Sequence, residues 1–143
     1  MQVKEIMTKE IETISGSASI SEAAKKMKSL NVGVVPVIEG NDLVGMITDR
    51  DIVIRGLAEK EDVSNVPVKD VMTTQVLSCS AEDSVEDAVK MMEDKQVRRL
   101  IALDESGAAV GIVSLGDIAA KAHSDALAGE ALEAVSEPCC PSR

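Results

Sequence analysis

The chain has 143 residues, of which 45% are apolar and 28% charged, with a net charge of −10 and no Phe, Tyr or Trp. This allows a sizeable core of Val, Ile, Leu, Met and Ala. It excludes base stacking on aromatic rings, and the acidity argues against a nucleic-acid or anionic-membrane partner.

Met1 to Glu10 is charged throughout, with no apolar stretch of the kind a signal peptide needs. The longest apolar run, Val32 to Ile38, is too short to span a membrane. The cysteines Cys79, Cys139 and Cys140 have neither the number nor the spacing of a disulfide framework or a four-ligand zinc site. A cytoplasmic location is the expectation.

The elements come twice. Val3-Lys4-Glu5-Ile6-Met7-Thr8 returns as Val68-Lys69-Asp70-Val71-Met72-Thr73, an offset of 65. Ser15, Ser19, Ala23, Lys25, Met27 and Val32 find their equals at the same offset. One inserted residue then moves the offset to 66, where Val44-Gly45 and Asp51-Ile52 match Val110-Gly111 and Asp117-Ile118. Fourteen ordered identities mark a tandem duplication.

In each copy a short strand (Ile11 to Ile14; Val76 to Cys79) leads to a capping box, Ser19-x-x-Glu22 or Ser84-x-x-Asp87. The helix that follows aligns Ile20, Ala23, Ala24, Met27 and Leu30 on one face, or Val85, Ala88, Val89 and Met92. A β-rich run (Val32 to Ile38; Leu100 to Leu103), a turn and a second strand (Leu43 to Ile47; Val110 to Val113) come next. A helix closes each copy, Asp49 to Ala58 or Gly116 to Ala126. The expected fold is α/β (α+β), two β-α-β-β-α units with pseudo-two-fold packing. The first copy, with its N-terminal segment and linker, takes 1–64, and the second takes 65–127. Residues 128–143 form a partly disordered tail, although Ala126 to Val135 has the Ala, Leu and Glu content of a helix that could dock on a partner subunit.

The junction of last strand and last helix carries the candidate chemistry. Gly45-Met46-Ile47-Thr48-Asp49-Arg50-Asp51 and Gly111-Ile112-Val113-Ser114-Leu115-Gly116-Asp117 both read Gly, two apolar residues, a hydroxyl, two variable residues and Asp. A hydroxyl and free N–H groups at a helix start suit a phosphate, and a carboxylate can accept from both hydroxyls of a ribose. The same spacing is also a helix capping box that needs no ligand. Both readings stand on spacing alone.

Two such motifs, each closing a β-α-β-β-α unit that opens on Met-Thr, resemble the CBS domain pair, or Bateman module, in the form of the small stand-alone prokaryotic proteins. The resemblance runs from Val3 to about Ala126. It implies a regulatory ligand sensor, not an enzyme, that binds AMP, ADP or ATP, or S-adenosylmethionine, in clefts between the repeats. It further implies that Asp51 and Asp117 hold ribose hydroxyls while Thr48 and Ser114 meet phosphate. Adenine would lie against Ile14, Val35 and Pro36 in one copy, and against Leu77 or Cys79, Leu100 and Ile101 in the other. Arg98 and Arg99 match a basic pair that contacts phosphates in the similar repeats of the AMP-activated kinase gamma subunit, where the first copy has Gly33-Val34. Arg50, at a helix start, also suits an anion. Ile101 stands where the family's usual Pro is kept as Pro36, so the second site is expected to differ.

Nothing points to a catalytic or metal-binding set: His123 is the only His, and no nucleophile motif or Gly-rich phosphate loop is present. The alternatives are a constitutive scaffold whose motifs only cap helices, or a sensor of an S-adenosylmethionine- or NAD-type ligand. A homodimer with an unidentified protein target is expected.

Overall fold

A serine starts the long helix between the first two strands of each copy. In the computed structural model, which describes residues 1–9, 11–121 and 125–136, the Ser19 hydroxyl accepts the Glu22 N–H at 3.1 Å and the Ser84 hydroxyl accepts the Asp87 N–H at 3.1 Å. These caps open α2 (Ile20–Leu30) and α5 (Val85–Lys95), and both helices end on a left-handed residue, Asn31 or Gln96. Ile20, Ala23 and Met27 of α2 turn inward, as do Val85, Ala88, Val89 and Met92 of α5. Ala24, expected on the inner face, is exposed.

The described elements run α1 (Val3–Ile6), β1 (Ile14–Ser15), α2, β2 (Val34–Glu39), β3 (Asp42–Thr48), α3 (Asp49–Asp51), a π-helical turn (Ile52–Leu57) and α4 (Val68–Val71). The second copy follows with β4 (Ser78–Ser80), α5, β5 (Arg99–Leu103), β6 (Ala109–Ser114), α6 (Leu115–Lys121) and α7 (Asp125–Val135). This is the expected mixed α/β order, with a short helix added at the start of each copy. The helix expected over Asp49 to Ala58 is α-helical for one turn and then widens to π geometry around the buried Gly56. A Cβ on Gly56 would lie 2.9 Å from Ile20 Cδ1 of α2.

The chain forms two compact units, Glu12–Val76 and Met1–Ile11 with Leu77 onward. The units cut the sequence differently from the copies, because each leading helix is held by the other copy's segment. Val3 N–H donates to the Asp83 carbonyl at 2.8 Å, and Val68 N–H to the Ala18 carbonyl at 2.7 Å. Val3 and Ile6 are thus core residues beside Val85 and Met92, and Val68 and Val71 beside Ile20 and Met27.

Each unit has a three-stranded sheet, in the orders β1-β2-β3 and β4-β5-β6, parallel in the first pairing and antiparallel in the second. β2 is a middle strand, yet it contains Pro36, which has no N–H to give. The sheet accommodates it by shortening β1, which pairs only with Val37 and Ile38. In the other unit Ile101 N–H donates to the Leu77 carbonyl at 3.1 Å, and β4 pairs over three residues. The Pro36/Ile101 difference is therefore a difference in strand pairing.

The single inserted residue lies in the turn before β6. Asp104 accepts there from the Ser106 N–H and hydroxyl and from the Ala108 N–H. The extension after the second copy does fold into a helix, α7, but its Ala131 and Val135 are buried in its own unit's core with Val89, Met92 and Leu100. The expectations for Cys139, Cys140, His123 and the last seven residues lie outside the described residues. Among the described residues, no helix is long and apolar enough to cross a membrane.

Candidate functional site

Both motifs close into reciprocal caps. Thr48 Oγ1 accepts the Asp51 N–H at 3.0 Å, while Asp51 Oδ2 accepts the Thr48 N–H at 3.0 Å. Ser114 Oγ accepts the Asp117 N–H at 3.1 Å, and Asp117 Oδ2 accepts the Ser114 N–H at 2.9 Å. Local sequence thus supplies one hold on each carboxylate, because the hydroxyl and the acid lie one helical turn apart.

The glycine that opens each motif is required by close packing. A Cβ on Gly45 would lie 2.8 Å from the Thr73 carbonyl oxygen and 2.8 Å from Met72 Sδ. One on Gly111 would lie 2.9 Å from the Thr8 carbonyl oxygen and 2.5 Å from Met7 Sδ. The repeated Met-Thr is seated here, with Thr73 bridging Met46 and Thr8 bridging Ile112 through backbone hydrogen bonds.

Beyond the shared frame the two sites differ. Thr73 Oγ1 donates to Asp51 at 3.2 Å (Oδ1) and 3.1 Å (Oδ2), and Asp51 is only 7% exposed. The counterpart of Thr73, Thr8, is exposed. Asp117 is instead paired through Oδ1 with Lys121 Nζ at 3.3 Å, and the same ammonium donates to the Ile6 carbonyl at 3.2 Å. Arg55, in the position of Lys121, donates to the Met72 carbonyl at 3.1 Å. Thr73, Arg55 and Lys121 were not picked out by sequence reasoning. The signal was available: all three lie in the duplication, two of them as cations in matching positions.

The residues expected to line the ligand divide by sheet face. Successive residues of a strand point to opposite faces, and cross-strand partners share one. Val34 lies opposite Thr48 and Pro36 opposite Met46, while Arg99 lies opposite Ser114 and Ile101 opposite Ile112. Pro36, Ile101 and Arg99 therefore share a face with the motif hydroxyls. Ile14, Val35, Cys79 and Leu100 belong to the core face of their units, and Leu77 packs against the same core as Leu100. Burial, and to a lesser extent Asp83, raises the Cys79 thiol to about 11. Arg50, Arg98 and Arg99 are exposed, and Arg98 Nη2 donates to Ser136 Oγ at 3.5 Å. Among the described residues, no group of three or more His, Cys, Asp or Glu side chains is placed to hold a metal ion.

This geometry has known relatives. The chain is 44% identical over 134 residues to the CBS domain-containing protein YhcV of Bacillus subtilis, covering 94% of each. Among solved structures it is similar to TA0289 of Thermoplasma acidophilum, a CBS domain protein (TM-score 0.79, 24% identity, 94% of this chain and 75% of that one). It is also similar to the CBS domain pair of protein MJ0100, solved with 5′-methylthioadenosine and S-adenosyl-L-methionine (TM-score 0.72, 28% identity, 83% of this chain and 97% of that one). The CBS domain model matches residues 3–57 and again 68–124, one match per copy, so the chain belongs to the CBS-domain family.

Proposed function

We propose that this protein is a regulatory module that binds adenosine-containing ligands, AMP, ADP or ATP foremost, at the Asp51 and Asp117 carboxylates. The carrying observation is the pair of equivalent carboxylates, each capped to a hydroxyl that shares a sheet face with Pro36 or Ile101. The binding of two adenosine compounds by the similar CBS pair of MJ0100 supports the ligand class. Ribose hydroxyls would replace the Thr73 hydroxyl on Asp51 or the Lys121 ammonium on Asp117, and Thr48 or Ser114 would meet phosphate. Pro36 and Ile101 share a sheet face with these hydroxyls, but both are buried, so adenine would have to displace whatever covers them. The protein would work in the cytoplasm as a homodimer whose ligand-biased conformation a protein target reads.

The reciprocal caps favour one rival, a scaffold in which both acids serve only their helices. Thermal unfolding with AMP, ADP, ATP, NAD and S-adenosylmethionine separates the two. A ligand at about 100 times its Kd adds roughly 2.7 kcal/mol, a rise of several degrees. The rise is expected to vanish in Asp51→Ala or Asp117→Ala. No rise with any of the five ligands would leave the motifs as caps.

A further inference from the structure

The Asp51 carboxylate is occupied by the chain itself. Its Oδ2 accepts the Thr48 N–H at 3.0 Å, and the Thr73 hydroxyl donates across both oxygens, at 3.2 Å to Oδ1 and 3.1 Å to Oδ2. A hydroxyl has one proton, so this bond is divided between two acceptors. With Asp51 only 7% exposed, an outside donor has to take the place of a group already on the carboxylate. The Thr48 N–H belongs to the helix cap and cannot leave without opening it. The Thr73 hydroxyl can leave. The Thr73 backbone is pinned to Met46 by two hydrogen bonds, of 2.8 and 2.9 Å, and Arg55 holds the Met72 carbonyl at 3.1 Å. A turn about χ1 therefore releases the hydroxyl while the chain stays in place. The second copy is built differently. Thr8 makes the same backbone pair with Ile112, at 2.8 and 3.1 Å, but it is exposed, and Asp117 pairs instead with Lys121 at 3.3 Å.

Resting on the adenosine-ligand reading, we propose that Thr73 is an internal competitor that sets the affinity of the Asp51 site. Its hydroxyl holds the carboxylate in the free protein and is displaced when ribose binds there. Two ribose hydroxyls give each oxygen an undivided donor, which favours the exchange. The exchange still costs the contact given up, so Thr73 holds the affinity down. Without the Thr73 hydroxyl, the buried carboxylate is underserved in the free protein and fully served in the complex. The stability that the free protein loses then returns as ligand affinity, because binding is measured against the free state.

Isothermal titration of the full chain with AMP, in an Asp117→Ala background that leaves the Asp51 site to be read alone, tests this. Thr73→Val is expected to tighten AMP about tenfold, while Thr73→Ser, which keeps the hydroxyl, leaves the affinity where it was. Unchanged affinity in Thr73→Val would make Thr73 a structural partner of Asp51 only, and weakened affinity would make it a ligand contact. Either result overturns the proposal while the adenosine reading stands. So does AMP binding that is present in the wild type and lost in Asp117→Ala, which confines the ligand to the other copy. The wild type gives a second readout that needs no variant to fold. The χ1 rotamer of Thr73, read from three-bond NMR couplings, should change as AMP saturates the protein, and an unchanged rotamer overturns the proposal equally. Wild-type protein that binds no AMP overturns the AMP reading and the proposal with it.

Discussion

Asp51 is the only charged side chain among the described residues that is buried, and neutral donors satisfy it. Thr73→Val removes the hydroxyl that reaches both its oxygens and leaves a buried charge underserved. The expected loss is about 1–3 kcal/mol, read as a lower urea midpoint at unchanged slope. Thr8→Val, at the exposed counterpart, should cost almost nothing, and equal losses would refute the asymmetry. Cys79 gives a second prediction. Its thiol is raised from 9.0 to about 11 in the folded chain, so the folded state holds the proton more tightly than the unfolded state. That contribution is complete below the unfolded value of 9.0 and is lost as pH climbs through about 11. Between pH 8 and pH 10 the wild type should lose more stability than Cys79→Ala. The motif acids and hydroxyls were legible from the sequence because their caps are local. Thr73 was not, because it reaches Asp51 from 22 residues away.

At the scale of elements, strands and capped helices followed from period and caps, and the Pro36/Ile101 exchange was visible as a departure. Its effect on β1 and β4 was not, since it depends on which strand pairs with which carbonyl. The motif glycine was visible too, but its reason, the seat of Met-Thr against β3 and β6, is tertiary. Gly45→Ala and Gly111→Ala each push a methyl into a backbone carbonyl and a methionine sulfur. Overpacking of this kind is expected to cost about 1–3 kcal/mol in chemical denaturation. Helix α7 was legible from its composition, whereas its seat was not. Ala131 and Val135 of α7 join a core against which Met91 and Leu115 also pack, at positions that hold Lys26 and Asp49 in the first copy. The first copy has no such apolar seat to offer.

For the molecule as a whole, the duplication was legible because it is written in ordered identities. The regrouping of α1 and α4 was hidden, since self-similarity marks copies and not contacts. It appears only in bonds such as Val3 to Asp83 and Val68 to Ala18. The consequence is that each motif glycine meets a Met-Thr that follows a leading helix of the opposite copy. Binding of labelled AMP by equilibrium dialysis, in wild type and in Asp51→Ala/Asp117→Ala shown folded by circular dichroism, tests the central claim most directly. The account predicts saturable binding in the wild type and none in the double variant. Binding of equal affinity and stoichiometry in the two would contradict it, and would reduce both carboxylates to helix caps.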